Sequence, residues 1–507
     1  MVPSFERENM EINKKIYLAG LILAIFFLAS FLRLWKINEY IVFLGDQGRD
    51  VLIVKRIIVD HKLTLLGPTA SVGGFYLGPF YYYLMVIPLW LSKLNPVGPA
   101  IMIAIFGIAT VGGMYAIFSK VYSKKIGLIS SFLYAISPLA VYQNRFSWNP
   151  NAWPFFSLIY FLLLYLFTIK GKKIFSFSAG LILGLCLQLH YLALIMVPLG
   201  VLIIFSRKSK NSLINCLLLA FGCLITISPL IFFEVRHGFN NIQTILEFVT
   251  RKQGAIAFYP LSIFSSFFNL SFKIFATFFN IPNNFITNIL VLFSLILLFS
   301  QLFGKYKKIS RLLLIWWLAG VVFLNLYQGT LYNYYYGFLY PIPAISTALV
   351  LNFLFNKKFW GFKIIFIGLL LYLGYFSYLG QPILKEPNNI IDQTKNLTET
   401  IINQSEGKPF NFALISASNS DFAYRYLLEI SGYKPVPLEE EVTNQLIVVC
   451  EDKICQPLGN SLWEIAGFGR AEVVQIYSDK IGIKVFKLIH HPESSSWVGQ
   501  PAPKGRI

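Results

Sequence analysis

Stretches of about twenty apolar residues recur along this chain, and such a stretch has few ways to fold. Ile16 to Trp35 and Val97 to Phe118 are two of them, each near or above the ~18 to 20 residues that cross a hydrocarbon core as a helix. Inside lipid every backbone N–H and C=O must find its partner within the protein, which selects helices. Composition agrees: 56% of the 507 residues are hydrophobic and only 13% are charged, where soluble domains carry roughly 25% charged residues. The chain is predicted to be an α-helical polytopic membrane protein. Its N-terminus lacks a short apolar core followed by a small-residue cleavage site, so Ile16 to Trp35 is expected to be a retained first span, not a removed signal peptide.

The net charge of +19 gathers in short loops: Lys14-Lys15, Lys120 to Lys125, Lys170 to Lys173, Arg207 to Lys210, Lys305 to Lys308 and Lys357-Lys358. That is the pattern of loops kept on the cytoplasmic side. Nucleic-acid binding would need basic residues gathered on a soluble face, and none is expected. Alternation of sides then restricts the spans. A full crossing by Phe75 to Leu94 would force Lys120, Lys124 and Lys125 outside. Gly74 to Lys93, with Phe80-Tyr81-Tyr82-Tyr83 between Pro79 and Pro88, is therefore predicted as an interfacial or re-entrant helix within a long external loop. The same parity makes Tyr259 to Phe279 a second external interfacial helix. Spans are expected near 16–35, 97–119, 126–143, 152–169, 174–189, 190–205, 211–233, 284–303, 311–327, 335–355 and 359–379. These are about eleven crossings, with the N-terminus cytoplasmic and the C-terminus extracytoplasmic. The break near His190 reads either as a boundary between two spans or as a kink in one helix.

After residue 380 polar residues return and no membrane-length run follows. The expected organisation is a membrane domain over 1–380, a small extracytoplasmic α/β domain over 381–491 and a loose tail over 492–507. Phe410 to Ala417 and Gln445 to Cys450 read as strands, Asp421 to Ile430 as a helix, and Val473 to Tyr477 with Ile481 to Leu488 as a final strand pair. Cys450 and Cys455 either pair, in an oxidising compartment, or remain two thiols. Cys186, Cys216 and Cys223 lie in apolar spans as core residues.

Ionisable groups close to a bilayer are costly unless they pair, face water or bind a charged ligand. The run Gly45-Asp46-Gln47-Gly48-Arg49-Asp50, just outside the first span, is the foremost example. Gln47 to His61 mixes apolar and charged residues at helical spacing, as an interfacial amphipathic helix should. Further polar groups fall on the same predicted outer side: Gln143-Asn144-Arg145 to Asn151, Gln188 with His190 and Tyr191, Glu234 with Arg236 and His237, and Tyr327-Gln328 with Tyr332 to Tyr336. Singly, each has an ordinary explanation as a snorkelling or satisfied anchor. Recurring on one face, they point to a shared cavity.

This arrangement resembles the integral-membrane glycosyltransferases of the C superfold, in the branch of the protein O-mannosyltransferases and the lipid A aminoarabinose transferase. The resemblance covers about residues 15 to 380. Asp46 matches the acid that follows the first span, Gly78-Pro79-Phe80-Tyr81-Tyr82-Tyr83-Leu84 the Pro-aromatic segment, and Ser137-Pro138 with Asn144-Arg145 the third-span pattern. Four positions depart from it: Gln47 stands where a second acid is frequent, Gly78 for a basic residue, Asn149 or Asn151 for an acid opening the fourth span, and His190 for a lysine. Fewer carboxylates weaken a divalent-metal site, so no cofactor is expected to be obligatory.

The resemblance implies a hexosyl- or pentosyltransferase of the cell envelope that uses a polyprenyl-phosphate-linked sugar donor and a protein, lipid or glycan acceptor. Such a reaction needs a base for the acceptor, and Asp46 is the expected one, with inversion at the anomeric carbon and Asp50 in reserve. Arg49, Arg145, Arg236 and His190 are candidates for the donor phosphate. Tyr191, Glu234, His237, Tyr82 and Tyr335 are the remaining candidate substrate contacts. The competing reading is a transporter or flippase of a lipid-linked or anionic substrate, which the absence of echoing halves disfavours.

Overall fold

The computed structural model describes residues 4–70, 74–208, 210–250, 263–327, 329–479 and 482–491. Gln328, the start of the Tyr259 to Phe279 segment, Ile481 at the head of the last expected strand, and the tail over 492–507 lie outside the described residues. The chain divides into two units. One comprises Met1–Ile37, Leu63–Pro88 and Pro99–Glu386, the other Asn38–Lys62, Leu89–Gly98 and Pro387–Ile507.

The first unit is a helical bundle of an integral membrane protein. Among the described residues seven helices are long and apolar enough to cross a bilayer: Ile12–Leu34, Val97–Val121, Asn149–Lys170, Ser212–Arg236, Phe285–Phe303, Lys307–Asn325 and Trp360–Leu379. Asn333–Leu339 and Pro341–Asn356, bent by 56°, add another if they form one broken span. Large apolar side chains such as Tyr17, Leu23, Leu217 and Leu371 stay exposed, as lipid-facing positions must. Phe80–Leu91, Lys173–Leu189 and Tyr191–Ser206 are shorter apolar helices.

Two breaks in these helices shape the candidate site. The segment expected over 126–143 is two helices, Lys124–Ala135 and Pro138–Gln143. Pro138 has no N–H to continue the first helix and disfavours helical backbone at Ser137. The Ser137 hydroxyl restarts the chain, accepting from Ala140 N at 3.3 Å and donating to Phe278 O at 2.6 Å. The second break is at His190, whose backbone is extended (φ −159°, ψ 133°) between Lys173–Leu189 and a 3-10 turn over Tyr191–Ile195. It is a true interruption, not a kink.

The second unit is built on a four-stranded sheet of order β1-β2-β4-β3, with β1 Asn411–Ile415, β2 Gln445–Cys450, β3 Ala471–Ser478 and β4 Lys484–His490. β1 and β2 are parallel, and β4 runs antiparallel to both of its neighbours. A parallel pair needs a crossover, which Phe422–Ile430 supplies. β1 and β2 are buried throughout, so they read as continuous apolar runs. Phe412, Leu414, Ile447 and Val449 face one core with Leu397, Ile401, Tyr424 and Leu428; Ala413, Ile415, Leu446 and Val448 face the other with Ile465 and Phe468. Helix Ile390–Ser405, which has no counterpart in the sequence reading, covers the first of these faces. Cys450 and Cys455 form a disulfide with Cα atoms 6.1 Å apart.

Candidate functional site

In the first unit the break at His190 creates an aromatic enclosure. The imidazole lies nearly parallel to Trp153 at 5.2 Å and to Tyr191 at 4.8 Å, with Tyr335 at 5.0 Å and Tyr334 at 5.8 Å between ring centroids. His190 is 4% exposed, and its Nδ1 accepts from Leu192 N at 3.2 Å. A neutral imidazole that accepts at Nδ1 carries its proton on Nε2. His190 can therefore donate without being charged. Tyr191 donates to the Tyr327 hydroxyl at 3.4 Å, so phenols extend the polar surface of the enclosure. Tyr335 and Tyr82 are both buried.

The carbonyl exposed by this break is satisfied by Asn149, whose Nδ2 donates to Leu189 O at 2.6 Å. Asn151 likewise donates to Phe146 O at 3.1 Å. Gln188, the last residue but one of its helix, donates to Gly184 O and Thr226 O and accepts from Phe80 N at 3.3 Å. It fills the space beside Gly78, where an added Cβ would collide with its side chain.

Arg145 is 2% exposed, and its two terminal nitrogens donate to Leu32 O and Trp35 O, each at 2.7 Å. Its neighbour in space is Arg33, which sequence reasoning missed. Arg33 is fully buried and donates to Asn144 Oδ1, Ala29 O and Ala135 O. Gly107 leaves room for this pair, because a Cβ there would meet Asn144 Oδ1. At the end of Ser212–Arg236, Glu234 is buried and its Oε2 accepts from Ile242 N at 3.1 Å, closing the turn into helix Asn240–Thr250. Arg236 and His237 are exposed, and His237 stacks on Phe233 with centroids 4.1 Å apart.

In the second unit Asp46, Arg49 and Asp50 come together on helix Gly45–Val59. One guanidinium serves both acids: Arg49 Nη1 is 2.9 Å from Asp46 Oδ1, and Nη2 is 2.9 Å from Asp50 Oδ1. The acids differ in access. The Asp50 side chain is 1% exposed and that of Asp46 is 46% exposed. Gln47 turns back to accept from Leu44 N at 3.1 Å, satisfying one of the N–H groups that a helix start leaves open. Asp46 in the first turn also sits where the helix dipole favours an anion. Among the described residues no three of His, Cys, Asp and Glu converge as a metal set.

Solved structures carry the same architecture. ArnT from Cupriavidus metallidurans bound to undecaprenyl phosphate matches over 97% of this chain and 99% of its own, at 12% identity and a TM-score of 0.59. The oligosaccharyltransferase AglB from Archaeoglobus fulgidus, in complex with an inhibitory peptide and a dolichol-phosphate, matches over 93% of this chain and 74% of its own, at 16% identity and a TM-score of 0.53. Residues 77–233 match the family described as dolichyl-phosphate-mannose-protein mannosyltransferase. The chain shares its fold with these two solved membrane proteins. No curated protein matches the sequence.

Against that fold, the four departures have local physical reasons. Glycine at 78 is required by the packing of Gln188. An amide at 149 can donate to the Leu189 carbonyl, which a carboxylate would repel. Gln47 uses its side-chain oxygen as a helix cap. His190 replaces a cation with a neutral donor inside an aromatic enclosure.

Proposed function

We propose that this protein transfers a hexosyl or pentosyl group from a polyprenyl-phosphate-linked donor to a protein, lipid or glycan acceptor on the extracytoplasmic face, with inversion. The observation that carries this reading is the pair of acids on Arg49, of which only Asp46 is open. Asp46 removes the proton of the acceptor hydroxyl or amine as its oxygen or nitrogen attacks the anomeric carbon. The bond to the phosphate oxygen breaks on the opposite face, and polyprenyl phosphate departs with the electron pair. Asp50 keeps Arg49 in place, and Arg49 in turn orients the Asp46 carboxylate.

The leaving phosphate needs donors. His190 Nε2–H and the exposed Arg236 are the groups assigned to it, with Tyr191 and Tyr335 lining the same enclosure as His190. Arg145 is assigned to the helix ends it already serves. The lysine-rich loops support a cytoplasmic N-terminus and an extracytoplasmic C-terminal unit, as does the Cys450–Cys455 disulfide.

Purified protein supplied with a polyprenyl-phosphate sugar and a panel of acceptors should release polyprenyl phosphate and give a product of inverted anomeric configuration. Movement of the intact lipid-linked sugar across proteoliposomes, with no product formed, would replace this reading with the flippase.

A further inference from the structure

Helix Gly45–Val59 presents two faces. At about 100° per residue, Gly45, Gly48, Leu52 and Lys55 share one stripe, and the group Asp46, Arg49 and Asp50 is centred about 130° away round the axis. The first stripe meets the segment Asn419–Glu429. Asn419 Oδ1 accepts from Gly45 N at 2.9 Å. A Cβ at Gly45 would fall on Ser420 Oγ, and one at Gly48 on the backbone nitrogen of Ala423. Lys55 Nζ pairs with Glu429 Oε1 at 2.7 Å, with the two side chains 13% and 14% exposed.

Asn419 is itself fixed. Its Nδ2 donates to both oxygens of Glu451, at 3.0 and 3.2 Å, and the Tyr424 hydroxyl donates to Glu451 Oε1 at 2.9 Å. Burial and the Glu451 carboxylate push the Tyr424 phenol up, so it remains a donor. Glu451 directly follows β2, the buried centre of the sheet. A continuous set of hydrogen bonds thus runs from the sheet to the first turn of the helix that carries Asp46.

We propose that Asn419, Glu429 and Glu451 are positioning residues for the Asp46 helix, so that the C-terminal sheet unit sets the turnover of the transfer reaction. This rests on Asp46 being the base. The physical ground is that a reacting group must be held on rigid support, since a displacement near 1 Å costs about a hundredfold in rate. Two glycines three residues apart permit backbone-to-backbone approach, and the partly buried ion pair at the far end fixes the rotation about the helix axis.

The test uses the full-length protein in lipid nanodiscs with Lys55→Glu, Glu429→Lys, the exchanged double variant, Asn419→Ala and Asp46→Asn. Each is followed by kcat, donor KM and amide hydrogen exchange over residues 45–59. The charge-reversed singles and Asn419→Ala should speed exchange in that helix and lower kcat by about tenfold or more, with donor KM nearly constant. The exchanged pair should recover most of both. Wild-type kcat in the singles, or no recovery in the exchanged pair, overturns the positioning role. Full turnover in Asp46→Asn removes the reading it rests on, through a variant that leaves the Lys55–Glu429 pair intact.

Discussion

Arg33 Nε and Asn144 Oδ1 are 3.0 Å apart, both side chains buried, and joined across 111 residues of sequence. Around this bond two arginines exchange helix ends. Arg33 serves Ala135 O, where Pro138 cuts the third helical segment short, and Arg145 serves Leu32 O and Trp35 O at the end of the first span. Carbonyls at a helix C-terminus are unsatisfied within the helix and carry the negative end of its dipole, so a guanidinium is the suited partner.

Replacing Arg33 should therefore cost far more than removing a membrane-edge anchor. Arg33→Ala leaves Asn144 Oδ1 and Ala135 O buried without a donor, at about 1–3 kcal/mol for each orphaned group. Gly107→Ala should act at the same place, because its Cβ would collide with Asn144 Oδ1, and overpacking costs about 1–3 kcal/mol. Thermal unfolding in detergent reads both. A midpoint unchanged from wild type in either variant contradicts the exchange.

His190 should act on the donor and not on the acceptor. His190→Phe keeps a ring among Trp153, Tyr191 and Tyr335 but removes the Nε2 donor and the Nδ1 cap of Leu192 N. A hydrogen bond to a charged phosphate contributes about 1.5–3 kcal/mol, which is about a ten- to hundredfold loss in donor kcat/KM. Acceptor KM should stay near wild type. Steady-state kinetics with each substrate varied in turn checks this.

The Cys450–Cys455 pair should be present in protein isolated without reductant, seen as a mass 2 Da (about two hydrogens) below the reduced form. Cys455→Ser should lower the stability of the C-terminal unit by ~2 kcal/mol, the value for so short a closed loop. Free thiols at both positions in protein taken directly from the membrane would contradict the extracytoplasmic placement of that unit.

How much of this was legible in the sequence depends on the range of the interaction. Helices such as Val97–Val121 follow from the length of an apolar run alone, and β2 from the block Leu446 to Val449. Helix Ile390–Ser405 escaped because Thr394, Thr398 and Gln404 share its buried stripe with Ile391, Leu397 and Ile401, which dilutes the periodicity. Arg33 escaped because a lone arginine at the end of a span carries no local sign of a partner 111 residues away. Helix Gly45–Val59 was legible as amphipathic, and its placement on Asn419–Glu429 was not. Nothing local in Gly45 to Lys55 names a partner 374 residues away.

Asp46→Asn offers the most direct measurement. It keeps the size of the side chain and the acceptor oxygen for Arg49 Nη1 while removing the basic carboxylate. Release of polyprenyl phosphate from a polyprenyl-phosphate sugar should fall by about 10²–10⁴-fold, the usual contribution of a general base, with the unfolding midpoint unchanged. Turnover at the wild-type rate in a folded Asp46→Asn protein would contradict the account.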